Sequence, residues 1–171
     1  CEGCEAIYEN PVPFEKLGWQ LNLPGYKDDG PKLEITGTVY KSDGKTPAKD
    51  VILYFYHTDQ TGVYPTKGDE AGWAKRHGYI RGWLKTNDKG QYKLNTLRPA
   101  SYPSTTIEAH IHCIVKEEGV NEYYIHDFLF DDDPYLREEA RSKTNQPGGN
   151  GILKLNKENG KKTKDGFVKP A

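Results

Sequence analysis

Two histidines with one residue between them, His110 and His112, carry the clearest chemical signal in the chain. They lie in the run Thr106-Ile107-Glu108-Ala109-His110-Ile111-His112-Cys113-Ile114-Val115. In an extended segment, side chains two apart share a face. Ile107, Ala109, Ile111, Cys113 and Val115 are then expected to form an apolar stripe. Glu108, His110 and His112 point the other way, so both imidazoles aim at one place, as two ligands of a single metal do. The plain alternative is two polar residues on a solvated face. Glu108 or His57 would complete a zinc or copper site. Two tyrosines, Tyr64 and Tyr102, are read in loops at strand ends, where sites are usually built. Each of the 12 tyrosines also has an ordinary reading as a packed ring with its hydroxyl hydrogen-bonded.

The elements that must position these residues are read as strands separated by turns. Alternation marks Leu33 to Val39, and Ser42-Asp43-Gly44-Lys45 is a turn. Val51 to His57 reads as a buried strand. Tyr79 to Thr86 and Gln91 to Asn95 flank the hairpin signal Asn87-Asp88-Lys89-Gly90. Thr106 to Lys116 and Glu122 to Phe130 form another pair, and Gly151 to Leu155 closes the sheet. One short helix is predicted from Pro134 to Ser142, with proline at its first position and acidic residues ahead of basic ones. The expected fold is all-β: an antiparallel sandwich of about seven or more strands with long loops and at most one short helix. Residues 1–32 read as an irregular arm with several prolines, 33–155 as the sandwich core, and 156–171 as a loose tail rich in lysine and glycine.

Composition agrees with strands and turns: 18 glycines, 11 prolines and 35% apolar residues in 171. With 24 basic and 25 acidic residues, there is no field of one sign to attract nucleic acid or an anionic membrane. No apolar run approaches the roughly 20 residues of a spanning helix. Cys1 at the start, in a chain without methionine, is expected to mark a processed product from an extracytoplasmic compartment. In that reading Cys1 carries a lipid anchor or pairs with Cys4 in a local disulfide. Cys113 falls on the apolar stripe.

Read together, longer strings carry a resemblance. They are Gly37-x-Val39, Gly44-x-x-Pro47-Ala48 and Tyr56-His57-Thr58-Asp59-x-x-Gly62-x-Tyr64. Next come Arg81-Gly82-Trp83-x-x-Thr86-x-x-x-Gly90-x-Tyr92-x-Leu94-x-Thr96-x-x-Pro99-x-x-Tyr102, then Ala109-His110-Ile111-His112 and Asp133-Pro134-Tyr135. In this order the chain resembles the intradiol ring-cleavage dioxygenases. The resemblance implies a β-sandwich in which Tyr64, Tyr102, His110 and His112 bind one non-haem ferric ion. It implies a small aromatic diol and O2 as partners, and insertion of both oxygen atoms between two hydroxylated ring carbons to give a muconate-type diacid. Tyr102, matching the axial tyrosine, would leave the metal and take a substrate proton, while Tyr64 stays. The residue types are consistent with this. Phenolates are hard anionic donors that suit the higher iron charge, and imidazoles suit iron in general.

Two positions and one loop length depart from the family pattern. Ile107 stands where an arginine is expected, and Arg81, Arg76 or His77 would have to reach the site from elsewhere in the chain to replace its charge. His126 stands where the family has a glutamine just beyond the metal ligands, and reads either as a hydrogen-bonding or acid-base group there or as a strand-face histidine with no role. Few residues separate Tyr102 from His110, which implies an open pocket. A second reading follows from these departures: a catalytically impaired, metal- or ligand-binding sandwich domain. Trp73, Trp83 and Glu122-Tyr123-Tyr124 are further residues able to line a pocket.

Overall fold

The computed structural model describes residues 1–142, 148–156, 161–163 and 167–168. Its strands are β1 (Gln20–Asn22), β2 (Lys32–Tyr40), β3 (Ile52–Tyr56), β4 (Arg81–Lys85), β5 (Gln91–Leu97) and β6 (His112–Glu117). They continue with β7 (Val120–Tyr124), β8 (Leu129–Phe130), β9 (Ile152–Asn156), β10 (Lys161–Thr163) and β11 (Phe167–Val168). Two short α-helices, α1 (Ala74–His77) and α2 (Glu138–Ser142), lie between strands. One sheet runs β1-β5-β2-β10-β9-β8, with β11 also paired to β2, and the other runs β4-β3-β6-β7.

The two sheets close on one core. Leu33 and Ile35 of β2 and Leu94 of β5 meet Leu53 and Phe55 of β3, Leu84 of β4, and Cys113 and Val115 of β6. Every residue of β3 is buried because its other face is covered as well. There Ile52, Tyr54 and Tyr56 lie under Cys4, Ala6 and Ile7 of the N-terminal segment. These three belong to a 3-10 helix, Cys4–Glu9, whose Ile7 carbonyl accepts the Trp83 indole N–H at 2.9 Å. A second 3-10 helix, Phe14–Lys16, leads to β1.

The all-β fold is as the pattern predicts, and the pairing adds what the pattern cannot carry. β2–β5, β3–β4, β3–β6, β6–β7 and β9–β10 are antiparallel. β1–β5, β2–β10, β2–β11 and β8–β9 are parallel. Alternation specifies which face of a strand is buried but not which strand lies beside it. The C-terminal stretch is not uniformly loose: β10 and β11 pair with β2, whose second edge otherwise presents unpaired backbone groups. The remainder of 157–171 lies outside the described residues.

Two local departures have identifiable causes. The predicted helix from Pro134 begins only at Glu138. Asp133 Oδ1 accepts the Tyr135 N–H at 2.8 Å, an Asx turn that competes with helix initiation. The predicted strand from Thr106 begins only at His112, preceded by a single bridge between Ile111 and Phe128. Asp133 Oδ2 takes the Ala109 N–H at 2.9 Å where a neighbouring strand would have done so. The apolar stripe therefore holds at Ala109, Ile111, Cys113 and Val115, all buried, while Ile107 is 42% exposed.

Candidate metal centre

Two loops from opposite parts of the chain build one half of the site. After β3, Asp59 Oδ1 accepts the N–H groups of Thr61 at 2.8 Å and Val63 at 3.2 Å, folding a tight turn that ends at Tyr64. The segment after β5 is laced to this turn. Ala100 N–H donates to the Asp59 carbonyl at 3.1 Å, and Thr58 Oγ1 donates to the Ala100 carbonyl at 2.8 Å. Gly62 makes the approach possible. It has φ +79°, and a Cβ there would lie 1.9 Å from the Ser101 carbonyl oxygen. A glycine is required on both counts. Tyr64 and Tyr102, from the two loops, are thereby brought together.

The His110–His112 segment supplies the other half. The hydroxyl of Tyr64 lies 2.6 Å from that of Tyr102 and 2.9 Å from His112 Nε2. The hydroxyl of Tyr102 lies 3.0 Å from His110 Nε2. The two imidazoles stand edge to face, with ring centroids 4.6 Å apart. Each ring is tied from behind. His110 Nδ1 donates to the Glu108 carbonyl at 2.8 Å, and His112 Nδ1 donates to Asp127 Oδ1 at 2.9 Å. A carbonyl and a carboxylate only accept, so each Nδ1 carries the proton and each Nε2 presents a lone pair inward. This outer partner on a histidine is the usual arrangement behind a metal ligand.

A proton count tests whether the four atoms suit a cation. With both rings in the neutral form that binds a metal, three short contacts join two phenol oxygens and two lone-pair nitrogens, but only two hydroxyl protons are available. One contact must therefore set lone pair against lone pair. A cation among the four, with the phenols deprotonated, satisfies all of them at once. The donor set thus fits a metal. His110, His112 and Asp127 also form a group able to hold one, with ligand atoms within 4.8 Å of one another. In that group Asp127 is engaged with the outer nitrogen of His112, on the side away from Tyr64.

Electrostatics agree with this division of roles. Burial pushes the phenols of Tyr64 and Tyr102 above the ordinary tyrosine range. They are neutral at pH 7 until a neighbouring positive charge takes their protons. Burial, followed by the adjacent His112, lowers His110 and keeps it neutral. Burial acts to raise Asp127, but its hydrogen bond to His112 and the nearby imidazoles prevail and hold the carboxyl below its ordinary value.

Two cavities reach this cluster, and Tyr124 lines both. One, of about 270 Å³, is lined by Tyr64 together with Tyr56, Trp73, Arg76, His77 and Tyr124. The other, of about 380 Å³, is lined by His112, His126, Asp127, Tyr124 and Ile125. Ring stacking continues outward from the cluster: Tyr56 stacks on His112 at 4.5 Å and on His77 at 3.7 Å.

Residues 15–163 match a family model described as "Dioxygenase". The chain belongs to the intradiol ring-cleavage dioxygenase family. It is 27% identical over 125 residues to catechol 1,2-dioxygenase of Acinetobacter baylyi, a match covering 61% of this chain and 38% of that protein. The chain therefore spans well under half of the curated relative it matches. Among solved structures, the dioxygenase domain of a dioxygenase carbohydrate-binding protein fusion from Streptomyces sp. SirexAA-E is similar, with TM-score 0.64 and 22% identity. That likeness covers 94% of this chain and 96% of that one. 3-Chlorocatechol 1,2-dioxygenase from Rhodococcus opacus 1CP gives TM-score 0.63 and 20% identity over 89% of this chain and 64% of that one. Both likenesses show the same sandwich fold.

Against the intradiol family pattern, the remaining residues fall as follows. His126 lines the second cavity, its Nδ1 3.2 Å from the Asp127 carbonyl. Arg81, expected as a substitute for the family arginine, does not line either cavity at the cluster. Its guanidinium is taken by Glu9 at 2.6 Å and lies over the Trp83 ring, because the N-terminal 3-10 helix brings a carboxylate onto the outer face of β4. Arg76 is the arginine that lines the cavity beside Tyr64. His57 is not available as a ligand. It is buried, with both ring nitrogens bonded, to the Thr58 carbonyl at 2.6 Å and Thr96 Oγ1 at 2.7 Å. Glu108 meets His110 through its backbone carbonyl and is not part of the metal-capable group among the described residues. Trp73 and Tyr124 line the first cavity, whereas Trp83 is bonded under Ile7. Cys1 is disulfide-bonded to Cys4. Cys113 is buried. Among the described residues, no helix is long and apolar enough to cross a membrane.

Asp127 is the site residue that sequence reasoning missed. It lies 15 positions from His112, across the β6–β7 hairpin, where a register shift and the Ile111–Phe128 bridge set the two opposite each other; the strand pattern marks the hairpin but not its register.

Proposed function

We propose that this chain is a non-haem ferric intradiol dioxygenase. Its substrates are a catechol-type diol and O2, and its product is the muconate-type diacid formed when both oxygen atoms enter between the hydroxylated carbons. The observation that carries this reading is the convergence of two phenol hydroxyls and two imidazole Nε2 atoms, both Nδ1 atoms being tied back. Tyr64, Tyr102, His110 and His112 would hold the iron, which would supply Lewis acidity toward the oxygens of a catechol.

The chain's own groups then have distinct tasks. Tyr102 as phenolate accepts a substrate hydroxyl proton and becomes a neutral phenol beside His110, acting as a positioned general base. Tyr64 stays in place, held by the Asp59 turn and backed by the ring of Tyr56 at 6.0 Å. Asp127 fixes the tautomer of His112. Tyr56, Trp73 and Tyr124 give the substrate ring aromatic walls. An oxidising, extracytoplasmic compartment is part of this reading, supported by the Cys1–Cys4 pairing.

The test is a visible absorption spectrum with iron analysis of the purified chain, before and after anaerobic catechol, followed by O2 uptake. Ferric tyrosinate colours a protein, and catecholate binding moves the band to longer wavelength. A coloured chain that responds to catechol and consumes O2 as the diacid forms supports the proposal. A coloured, responsive chain without O2 uptake is the impaired sandwich of the second reading, to which the exposed Ile107 at the arginine position lends support. A chain that stays colourless after ferric reconstitution overturns both iron readings.

A further inference from the structure

The cavity beside Tyr64 has an end that the proposed chemistry does not use. Its walls are aromatic, but Arg76 and Glu2 also line it. They are its only guanidinium and only carboxylate. Arg76 Nη1 lies 2.9 Å from Glu2 Oε1, and the Arg76 guanidinium stacks over Trp73 at 5.4 Å. The remaining basic group in the lining, His77, is held neutral, its pKa pushed down to about 4, chiefly by burial. Arg76 is thus the one fixed cation a ligand in this cavity meets, and it is already paired.

Glu2 is held at this position by its surroundings. Its backbone carbonyl accepts the Tyr124 hydroxyl at 3.1 Å. Gly3 packs so closely on the wall that a Cβ would lie 3.3 Å from both His77 Nε2 and Trp73 Cζ3. The Cys1–Cys4 disulfide closes the turn that bears it. The contact itself is a weak one, however. The side chains are 67% and 79% exposed, and an ion pair so open to water contributes little and exchanges readily.

We propose that Arg76 is the anion-recognising residue of this cavity, so that the site selects catechols carrying an acidic side chain over unsubstituted ones, and that Glu2 is a built-in competitor that tempers this selection. The proposal rests on the reading that a catechol binds beside Tyr64. A carboxylate on a short side chain, reaching the mouth while the ring lies among Tyr56, Trp73 and Tyr124, takes Arg76 from Glu2. No charge is lost or left unpaired inside the cavity, because the displaced Glu2 carboxylate turns to water. An unsubstituted catechol leaves the Arg76–Glu2 pair intact and gains nothing from it.

The test compares 3,4-dihydroxyphenylpropanoate with catechol on the full chain. Affinity is followed in two ways: by the shift of the visible band on the iron-loaded protein, and by quenching of Trp73 fluorescence, with Trp73→Phe as the control for the other tryptophans. The ratio of the two affinities is the readout. It is expected to favour the acid in the native chain, to fall about threefold to fivefold in Arg76→Gln, and to rise by a similar factor in Glu2→Gln. Both changes should shrink in high salt. A ratio unchanged in both variants overturns the proposal, as does a ratio that moves the same way in both. Failure of the iron reading itself is distinguishable, since it removes the visible band while the fluorescence ratio still reports on Arg76 and Glu2.

Discussion

Tyr64 and Tyr102, 38 positions apart, place their hydroxyl oxygens 2.6 Å from each other. With both inward histidine nitrogens stripped of protons, that approach is poor hydrogen bonding and good ligand geometry. Removing either phenol should therefore register in the metal chemistry more than in the fold. In iron-loaded Tyr64→Phe and Tyr102→Phe, the visible band should weaken and move, and the double variant should be colourless. Thermal unfolding of the metal-free single variants should lie within about 1 kcal/mol of the parent. A double variant that keeps the full band would remove both tyrosines from the site.

Asp127 bonds the outer nitrogen of His112, and the group His110, His112 and Asp127 is also one that could hold a metal by itself. Asp127→Asn separates the two roles. As an orienting partner, Asp127 should leave the iron stoichiometry and the tyrosinate band in place on replacement, with metal affinity lower by about 10-fold to 100-fold. Competition with a chelator measures this. Loss of the band together with the metal would make Asp127 a ligand.

Gly62 joins the two tyrosine loops through its contact with the Ser101 carbonyl. Gly62→Ala puts a methyl group into that oxygen and strains a positive φ, at a cost of about 1 kcal/mol or more. The loops should part, and the iron band should fall along with stability. Gly119 is also at positive φ, but a Cβ added there would meet nothing within 4 Å, so it gives the comparison. Gly119→Ala should carry the backbone strain alone and keep the band. Equal loss of colour in both would show that the close approach at Gly62 is not what positions Tyr64.

His57 and His77 are both buried and held neutral, with pKa values pushed down to about 4, first of all by burial. In the unfolded chain each returns to about 6.5. Between those values the unfolded state binds more protons than the folded one, so the stability these residues give is complete above about pH 6.5 and is lost as pH falls toward 4. The loss should be on the order of 3 kcal/mol for His57 and smaller for His77, which lies nearer to solvent. Urea unfolding of the metal-free protein at about pH 7 and about pH 4.5 measures it, and equal free energies at the two would refute the assignment.

The sequence by itself determined the faces and the chemistry. Alternation put Ala109, Ile111, Cys113 and Val115 inward and His110 and His112 outward, and the structure keeps them so. Glycine and turn residues marked the loops that carry Tyr64 and Tyr102, and the ordered motifs named the family. These are local properties, set by a two-residue period and by residues with special backbone freedom.

Tertiary structure alone decided who stands next to whom. It brought Asp133 to the Ala109 N–H so that the strand starts late, and gave Arg81 to Glu9 while leaving Arg76 in the cavity. It set several strands parallel and laid the N-terminal segment over β3. Each of these is a contact between distant segments, chosen by the packing of the whole chain against water. No window of neighbouring residues contains that information, because the partner's position depends on every connection between them.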